Sequence, residues 1–274
     1  MISIIICSRN KTISNDLYQN ITTTIGCEFE LIVIDNSLNQ YSIFEAYNLG
    51  IGKSTSEFLC FIHDDILFHT QGWGVLLIRI FIKNKKAGLI GIAGAKIKTK
   101  MPSAWWECPE KYHVINIIQH TNDNKIESQV VGFEQNSIQE EVVVIDGVFM
   151  VMRKIKDILF NTKMKGFHNY DLNISFEFNA KNYQILVTRQ IVIEHFSNGV
   201  IDKTWYDSCL KLHQLYHNIL PLKTDNLINT ILDESNEHNS SIYFKNQKKN
   251  SRFINFLCKM RTHLFSRKFF SNKC

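Results

Sequence analysis

Short apolar runs alternate with segments of helical spacing along the first third of the chain. The runs are rich in β-branched side chains and predict four buried strands, at Ser3–Cys7, Phe29–Ile34, Phe58–Ile62 and Leu89–Ala95. Apolar residues that recur every three or four positions predict three intervening helices, at Asp16–Thr24, Ile43–Ile51 and Trp73–Lys83. Strands that alternate with helices in this way are typical of an α/β fold, with a mostly parallel central sheet flanked by helices.

The pattern is less regular after the fourth strand. Residues 98–141 hold Trp105 and Trp106 among many polar side chains, and we expect loops and peripheral strands there, lying over a binding face. Two further buried strands are predicted at Val142–Ile145 and Ile185–Ile193. Two further helices are predicted, one within Gly166–Phe178 and one at Lys203–Leu220.

Polar side chains follow the first three predicted strands, at the point where each strand ends. The three segments are Ser8-Arg9-Asn10, Asp35-Asn36-Ser37 and His63-Asp64-Asp65. In open α/β sheets, ligands bind outside the carboxyl ends of the strands. The sequence therefore predicts a binding site at this edge of the sheet.

The composition fits a folded protein of a reducing compartment. Apolar residues make up 45% of the 274 positions, which supports a hydrophobic core and excludes a wholly disordered chain. The seven cysteines are odd in number and include no CxxC pair, which argues against a disulfide framework and favours the cytoplasm. The apolar run at residues 1–6 is too short for a membrane span and predicts a first strand, not a signal peptide.

Positive charge is concentrated at the C-terminal end. Nine lysines and arginines lie from Lys245 onward, no acidic residue follows Glu237, and the net charge is +5, so the body of the chain is mildly acidic. We predict a globular domain over residues 1–220 and a linker with a basic amphipathic helical segment over residues 221–274. Such a segment favours peripheral contact with an anionic membrane. A solvated or partner-bound tail is the alternative, and nucleic acid is the least favoured partner.

The sequence lacks the motifs of several common enzyme classes. No GxGxxG follows the first strand, and there is no GxxxxGK[ST], GxSxG or HExxH. A carboxylate of the His63-Asp64-Asp65 segment could bind a divalent cation that bridges to a diphosphate, or the segment could be a solvated acidic turn. His195 could complete a metal site with Asp65, since imidazole favours Mn²⁺ over Mg²⁺, although a single histidine is more often structural. Asp171 could be a general base or a helix N-terminal aspartate favoured by the dipole.

Six segments, taken in order, resemble family two of the inverting glycosyltransferases, which have the GT-A fold, and in particular the branch with an FxHxD variant of the DxD motif. Each segment is weak alone, but their order and spacing are fairly specific over roughly residues 1–215. The matching segments are ISIIICSRN (2–10), FELIVIDNS (29–37), AYNLGIGKSTSEFLCFIHDDI (46–66), VIDGVFMVMR (144–153), GFHNYDLNISF (166–176) and IEHFSNG (193–199).

The resemblance implies a role for each matching residue. Asp65 and His195 would bind the metal, and Asp171 would be the catalytic base. Asp146 and Gly147 would border the acceptor. The residues that would contact the nucleotide-sugar are Ser8, Arg9, Asp35, Asn48, His63 and Asp64.

The resemblance predicts an inverting transfer of a sugar from a nucleotide-sugar, most simply a UDP-sugar, to a hydroxyl of a glycan or lipid-linked acceptor in bacterial surface polysaccharide or lipopolysaccharide synthesis. It implies a divalent cofactor, with Mn²⁺ favoured over Mg²⁺, and a cytoplasmic enzyme at the inner face of the membrane. The sequence departs from the family pattern at His63, Tyr170, Asn173, Glu177 and Thr55. A catalytically degenerate sugar- or nucleotide-binding module and a nucleotidyltransferase are the alternatives.

Overall fold

A computed structural model describes residues 1–121, 125–197, 199 and 201–227 of the chain. The helices are α1 (Asn15–Thr24), α2 (Ile43–Lys53), α3 (Trp73–Lys83), α4 (Tyr170–Ala180) and α5 (Lys203–Leu215). The strands are β1 (Ile2–Ser8), β2 (Phe29–Asp35), β3 (Phe58–Ile62), β4 (Ile66–Phe68), β5 (Ala87–Gly91), β6 (Ala93–Ala95), β7 (Ile97–Lys98), β8 (His113–His120), β9 (Ile126–Val131), β10 (Gln139–Val142), β11 (Val144–Ile145), β12 (Phe149–Arg153), β13 (Gln184–Thr188), β14 (Ile193–His195) and β15 (Leu222–Lys223).

The main sheet has seven strands in the order β10-β13-β5-β12-β3-β1-β2. Strand β12 is antiparallel to both of its neighbours and β10 is antiparallel to β13, whereas the other pairings are parallel. Five of the seven strands therefore run in one direction. This arrangement confirms the predicted α/β fold with a mostly parallel central sheet.

Helices cover both faces of the main sheet. Along β1, Ile5 packs in one core with α2 and α4, whereas Ile4 and Ile6 pack in a second core with α1 and α3. Alternate residues of a strand point to opposite faces, so a sheet buried on both sides needs a continuous apolar run. That requirement is why the strands appear in the sequence as unbroken apolar segments.

A second sheet contains strands in the order β11-β6-β8-β14-β4, with β9 paired to β8. Two runs predicted as single strands, Leu89–Ala95 and Ile185–Ile193, are each divided between the two sheets. The buried Asn116 forms a hydrogen bond at each of the two breaks. Its main-chain N–H donates to the Ile92 carbonyl and its side-chain amide donates to the Ile191 carbonyl, both at 2.7 Å. Since each half of each run is buried, hydrophobicity alone did not reveal the breaks.

Three other predictions need correction. The run Val142–Ile145 is divided between β10 of the main sheet and β11 of the second sheet. Within residues 98–141, β8 is a central strand of the second sheet rather than a peripheral one. Helix α5 ends at Leu215, five residues before the predicted end, and the Tyr216 side chain then bonds to Glu177 of α4.

The described chain continues past residue 220, because β15 pairs with β7. The rest of the predicted basic segment, residues 228–274, lies outside the described residues. Among the helices of the described ranges, none has the length and apolar character needed to cross a membrane.

Two glycines of α2 give a matched test of how this helix packs on β1. A β-carbon added at Gly50 would lie 2.3 Å from Cγ2 of Ile5, whereas one added at Gly52 meets nothing within 4 Å. We expect Gly50→Ala to destabilise the protein by about 1–3 kcal/mol through overpacking. Gly52→Ala should instead stabilise it by roughly 1 kcal/mol, through the better helix propensity of alanine. Urea unfolding of both variants measures the two changes, and equal effects would contradict the packing described here.

Candidate active site

A cleft of about 860 Å³ lies where the parallel strands of the main sheet end. Because β12 runs in the opposite direction, its N-terminal end reaches the same edge. Helix α4 also begins there. The predicted residues that line the cleft are Ser8, Arg9, His63, Asp64, Asp65, Asp146, Gly147, Asp171 and His195.

Three side chains meet in the cleft, two from the segment between β3 and β4 and one from β14. His195 Nε2 lies 3.6 Å from Asp65 Oδ1, His63 Nδ1 lies 3.7 Å from the same oxygen, and the two nitrogens are 3.4 Å apart. A divalent cation with ligand distances of about 2.1 Å fits over such a triangle. The structure thus joins Asp65 and His195 as predicted, and it adds His63, which the sequence had placed beside the nucleotide.

Gln119 of β8 fixes the tautomer of His195. The amide nitrogen of Gln119 donates to the carbonyls of His120 and Ser197, both at 2.8 Å, which identifies the other amide atom as the oxygen. That oxygen accepts a hydrogen bond from His195 Nδ1 at 2.9 Å. Nε2 is then unprotonated and faces Asp65 and His63. Burial lowers the pKa of His195, as does the adjacent His63, so both effects favour the neutral ligand form.

Tyr170 fixes His63 in the same way. The Tyr170 hydroxyl donates to the Gly147 carbonyl at 3.3 Å and lies 2.6 Å from His63 Nε2, so it accepts the Nε2 hydrogen. The Nδ1 lone pair is then directed at the centre of the triangle. A β-carbon at Gly147 would lie 2.4 Å from the tyrosine hydroxyl, which explains a glycine there. Two lone pairs that face one another at 3.4 Å fit a bound cation, and this donor set therefore matches a metal site.

Asp171 lies in the first turn of α4, directly after Tyr170. Burial raises the pKa of its carboxyl to about 7, and the carboxylate of Asp146 adds to the shift. Asp146 is held by hydrogen bonds from the Trp105 indole and the Val148 N–H, both at 2.8 Å. A half-buried carboxyl that titrates near neutral pH at the wall of a cleft is suited to general-base chemistry.

The predicted nucleotide residues are only partly brought together. The Ser8 hydroxyl donates to Asp64 at 2.9 Å, and the exposed Arg9 follows it along the cleft. Asp35 pairs with Ser8 across the strands, but its carboxylate accepts from the Ser37 N–H and Asn36 lines the cleft instead.

The predicted contact of Asn48 with the nucleotide needs correction. Its side chain exchanges hydrogen bonds with the main chain of Phe160, at 2.7 and 2.9 Å, and Asn48 does not line the cleft. The sequence around an asparagine in a helix is the same whether its side-chain amide binds a ligand or a distant loop, so it could not distinguish the two. The partner is 112 residues away, so no local pattern indicated it.

The other departures from the family pattern have structural explanations outside the cleft. Asn173 is fully buried and donates to the Tyr216 hydroxyl at 2.7 Å, and that hydroxyl also bonds to Glu177. Thr55 bonds to Glu30 through its N–H and its hydroxyl, at 2.7 and 2.9 Å. These positions tie helices and strands together, so their identities do not indicate a damaged site.

No role was assigned from the sequence to several residues that line the cleft, among them Tyr47, Phe167, His168 and Trp205. Trp105 and Trp106 were noted in a polar segment that we expected to lie over a binding face, with no role assigned to either, and both line the cleft. An aromatic pair in an otherwise polar loop is the one signal that could have identified them.

A sequence model described as "Glycosyltransferase like family" matches residues 3–217, and the chain belongs to that family. A search of curated protein sequences finds no match. The solved structures that are similar include "Crystal structure of GalNAc-T7 with UDP, GalNAc and Mn2+", with a TM-score of 0.51, 9% identity, and coverage of 78% of this chain and 48% of that one. S. aureus TarS 1-349 in complex with UDP-GlcNAc has a TM-score of 0.48, 12% identity, and coverage of 93% and 74%.

The chain therefore spans about half the length of the GalNAc-T7 chain. The family match and this structural similarity confirm the predicted GT-A fold. The family match supports a glycosyltransferase.

Proposed function

We propose that this protein is a metal-dependent, inverting glycosyltransferase that uses a nucleotide-sugar donor, with a UDP-sugar favoured. One observation carries the proposal: a His-Asp-His triad and a carboxyl with a raised pKa line the same cleft of a GT-A fold. An inverting transfer needs these two elements, one to stabilise the departing diphosphate and one to deprotonate the acceptor.

His63, Asp65 and His195 would hold the cation. When bound, it would neutralise the charge that develops on the departing diphosphate. Two imidazoles in the ligand set favour Mn²⁺ over Mg²⁺, which prefers oxygen ligands. The similar GalNAc-T7 structure was solved with UDP, GalNAc and Mn²⁺, which supports the same pairing of nucleotide and metal here.

The residues of the chain divide the remaining work. Asp171 would accept the proton of the acceptor hydroxyl through a carboxylate oxygen, leaving the hydroxyl oxygen free to attack the anomeric carbon. Ser8, Arg9 and Asp64 would orient the nucleotide on the other side of the triad. Attack from the face opposite the leaving group inverts the anomeric centre, and no covalent intermediate with the enzyme is needed.

Calorimetric titration tests the donor assignment. Purified protein would be titrated with UDP, GDP, dTDP and CMP, each with and without Mn²⁺. Binding of UDP that requires Mn²⁺ is the expected result. If none of the four nucleotides binds, the donor site is misassigned and a degenerate module becomes the better interpretation.

Gln119 gives a finer test of the proposed metal site, because it contacts a ligand and not the cation. Gln119→Leu removes the acceptor for His195 Nδ1 and should weaken Mn²⁺ affinity by about 10–100-fold. Gln119→Glu keeps an acceptor at that position and should retain most of the affinity. Gln129→Leu, on the paired strand β9, is the matched control. Electron paramagnetic resonance of free Mn²⁺ measures the affinity, and an unchanged value in Gln119→Leu would exclude a positioning role.

The acceptor and the cellular role rest on the sequence resemblance. We propose a hydroxyl of a glycan or lipid-linked acceptor, in bacterial surface polysaccharide or lipopolysaccharide synthesis. The basic segment that begins near Lys245 would contact an anionic membrane at its cytoplasmic face.

A further inference from the structure

Part of the wall of the cleft is aromatic. Trp106 and Phe167 line the cleft with 41% and 39% of their surfaces exposed, whereas Trp105, which contacts Trp106, is 7% exposed. Large aromatic side chains that remain exposed inside a concave site indicate a ligand that covers them.

Trp106 is held in place by its surroundings. The ring of Trp105 meets it edge-on, with centroids 5.6 Å apart and an interplanar angle of 89°. Trp105 is fixed in turn by its indole N–H, which donates to Asp146 at 2.8 Å. The main-chain carbonyl of Trp106 lies 2.9 Å from His113 Nε2 and accepts from it. A surface held in this way loses little conformational entropy when a ligand binds.

The charges that line the cleft disfavour an anionic ligand beside Trp106. Among the described residues that line the cleft, Arg9 is the one arginine or lysine, and it follows β1 on the nucleotide side. Asp146 accepts a hydrogen bond from Trp105, the neighbour of Trp106, and Asp171 lies near enough to Asp146 for that carboxylate to raise its pKa. Burial lowers the pKa of His168, which keeps that imidazole neutral near pH 7. A phosphate beside Trp106 would lie near Asp146, and Arg9 is the one lysine or arginine of the described lining that could offset its charge.

We infer that Trp106 and Phe167 form the acceptor subsite and that it takes an uncharged pyranose ring, the end of a glycan. One face of a pyranose presents C–H groups that pack on an aromatic ring, while its edge carries hydroxyls. A sugar stacked on Trp106 would present its hydroxyl-bearing edge inside the cleft that Asp171 also lines. This inference rests on the proposed glycosyltransferase function and names the acceptor class for it.

Saturation-transfer NMR tests the subsite directly. The full chain, with UDP and Mn²⁺ present, would be mixed with methyl β-glucoside, methyl β-galactoside, methyl N-acetyl-β-glucosaminide and farnesyl phosphate in turn. At least one pyranoside should receive saturation on the C–H protons of one face. Trp106→Ala should weaken that binding by about tenfold, equivalent to about 1.4 kcal/mol. Tyr18→Ala, which removes an equally exposed aromatic side chain on α1, should leave it unchanged.

The outcomes separate this inference from the donor assignment. If UDP binds and no pyranoside receives saturation, or if the signal survives in Trp106→Ala, the acceptor inference is wrong and the donor assignment stands. Binding of farnesyl phosphate that depends on Trp106 would also overturn it, in favour of a lipid phosphate. If the wild-type protein does not bind UDP, that result would instead contradict the proposed function itself. Retained UDP binding by Trp106→Ala shows that the variant is folded.

Discussion

Asp171→Asn is expected to lower the turnover number by about 10²–10⁴-fold, because it removes the proposed proton acceptor while keeping the shape of the side chain. An asparagine oxygen can still accept the Leu172 N–H, which donates to Asp171 at 2.8 Å, so the start of α4 should remain intact. UDP and Mn²⁺ should bind the variant as they bind the wild type. The measurement is the rate of sugar transfer or of donor hydrolysis at saturating donor, with calorimetry for UDP.

The pH profile adds a second signature for the same residue. Since the pKa of Asp171 is about 7, kcat/KM of the wild type should rise roughly tenfold per pH unit below pH 7 and level off above it. The free energy of unfolding of the wild type should fall as the pH rises through the same range. The folded-state pKa lies above the ordinary value, so ionisation destabilises the fold, fully above about pH 7 and less as the pH falls toward 4. Asp171→Asn should therefore melt at a higher temperature than the wild type at pH 8. A variant with normal turnover would refute the assignment of the base.

Asp65→Ala should remove the metal dependence of nucleotide binding. It deletes the one carboxylate of the triad and leaves only two imidazoles, 3.4 Å apart, as ligands for a cation. We expect Mn²⁺ affinity to fall by more than about 100-fold, beyond the loss typical of an outer-sphere partner. Transfer activity should fall with it. Mn²⁺ titration followed by electron paramagnetic resonance measures the first effect.

The control for this change is Asp157→Ala, which removes an exposed carboxylate outside the cleft. Wild-type Mn²⁺ affinity is expected for that variant. If Asp65→Ala kept the same Mn²⁺ affinity as this control, the triad would not be the metal site. Co²⁺ gives an independent readout, because its visible absorption bands report the ligand set without any turnover.

The strands and helices of the main sheet were predicted well, because each produces a hydrophobic pattern within its own short segment of sequence. Buried strands are short apolar runs, and three strand ends were visible as polar segments, which placed Ser8, Asp65 and His63 at one edge of the sheet. The combination of His195 with Asp65 was proposed from residue types and strengthened by the resemblance, and the structure brings both into the cleft.

What the sequence could not predict depends on contacts between distant segments. Gln119 and His195 meet because β8 and β14 pair, and nothing near either residue indicates that pairing. The role of His63 depends on which of its ring nitrogens is free to bind a cation, and the hydrogen bond to the Tyr170 hydroxyl decides this. Asn48 was misplaced for the same reason, since its amide found a main-chain partner far along the chain.

Tyr170 and Asp171 are adjacent in the chain, yet one orients a ligand of the proposed metal and the other is the proposed base. The first turn of α4 therefore fixes the distance between the residue that orients the metal ligand His63 and the proposed base. A rotation or slide of that helix would displace both groups together and keep their separation, whereas an inserted residue would change it. A shift of α4 would therefore move the proposed donor and acceptor groups together, and neither could be repositioned by that helix without the other.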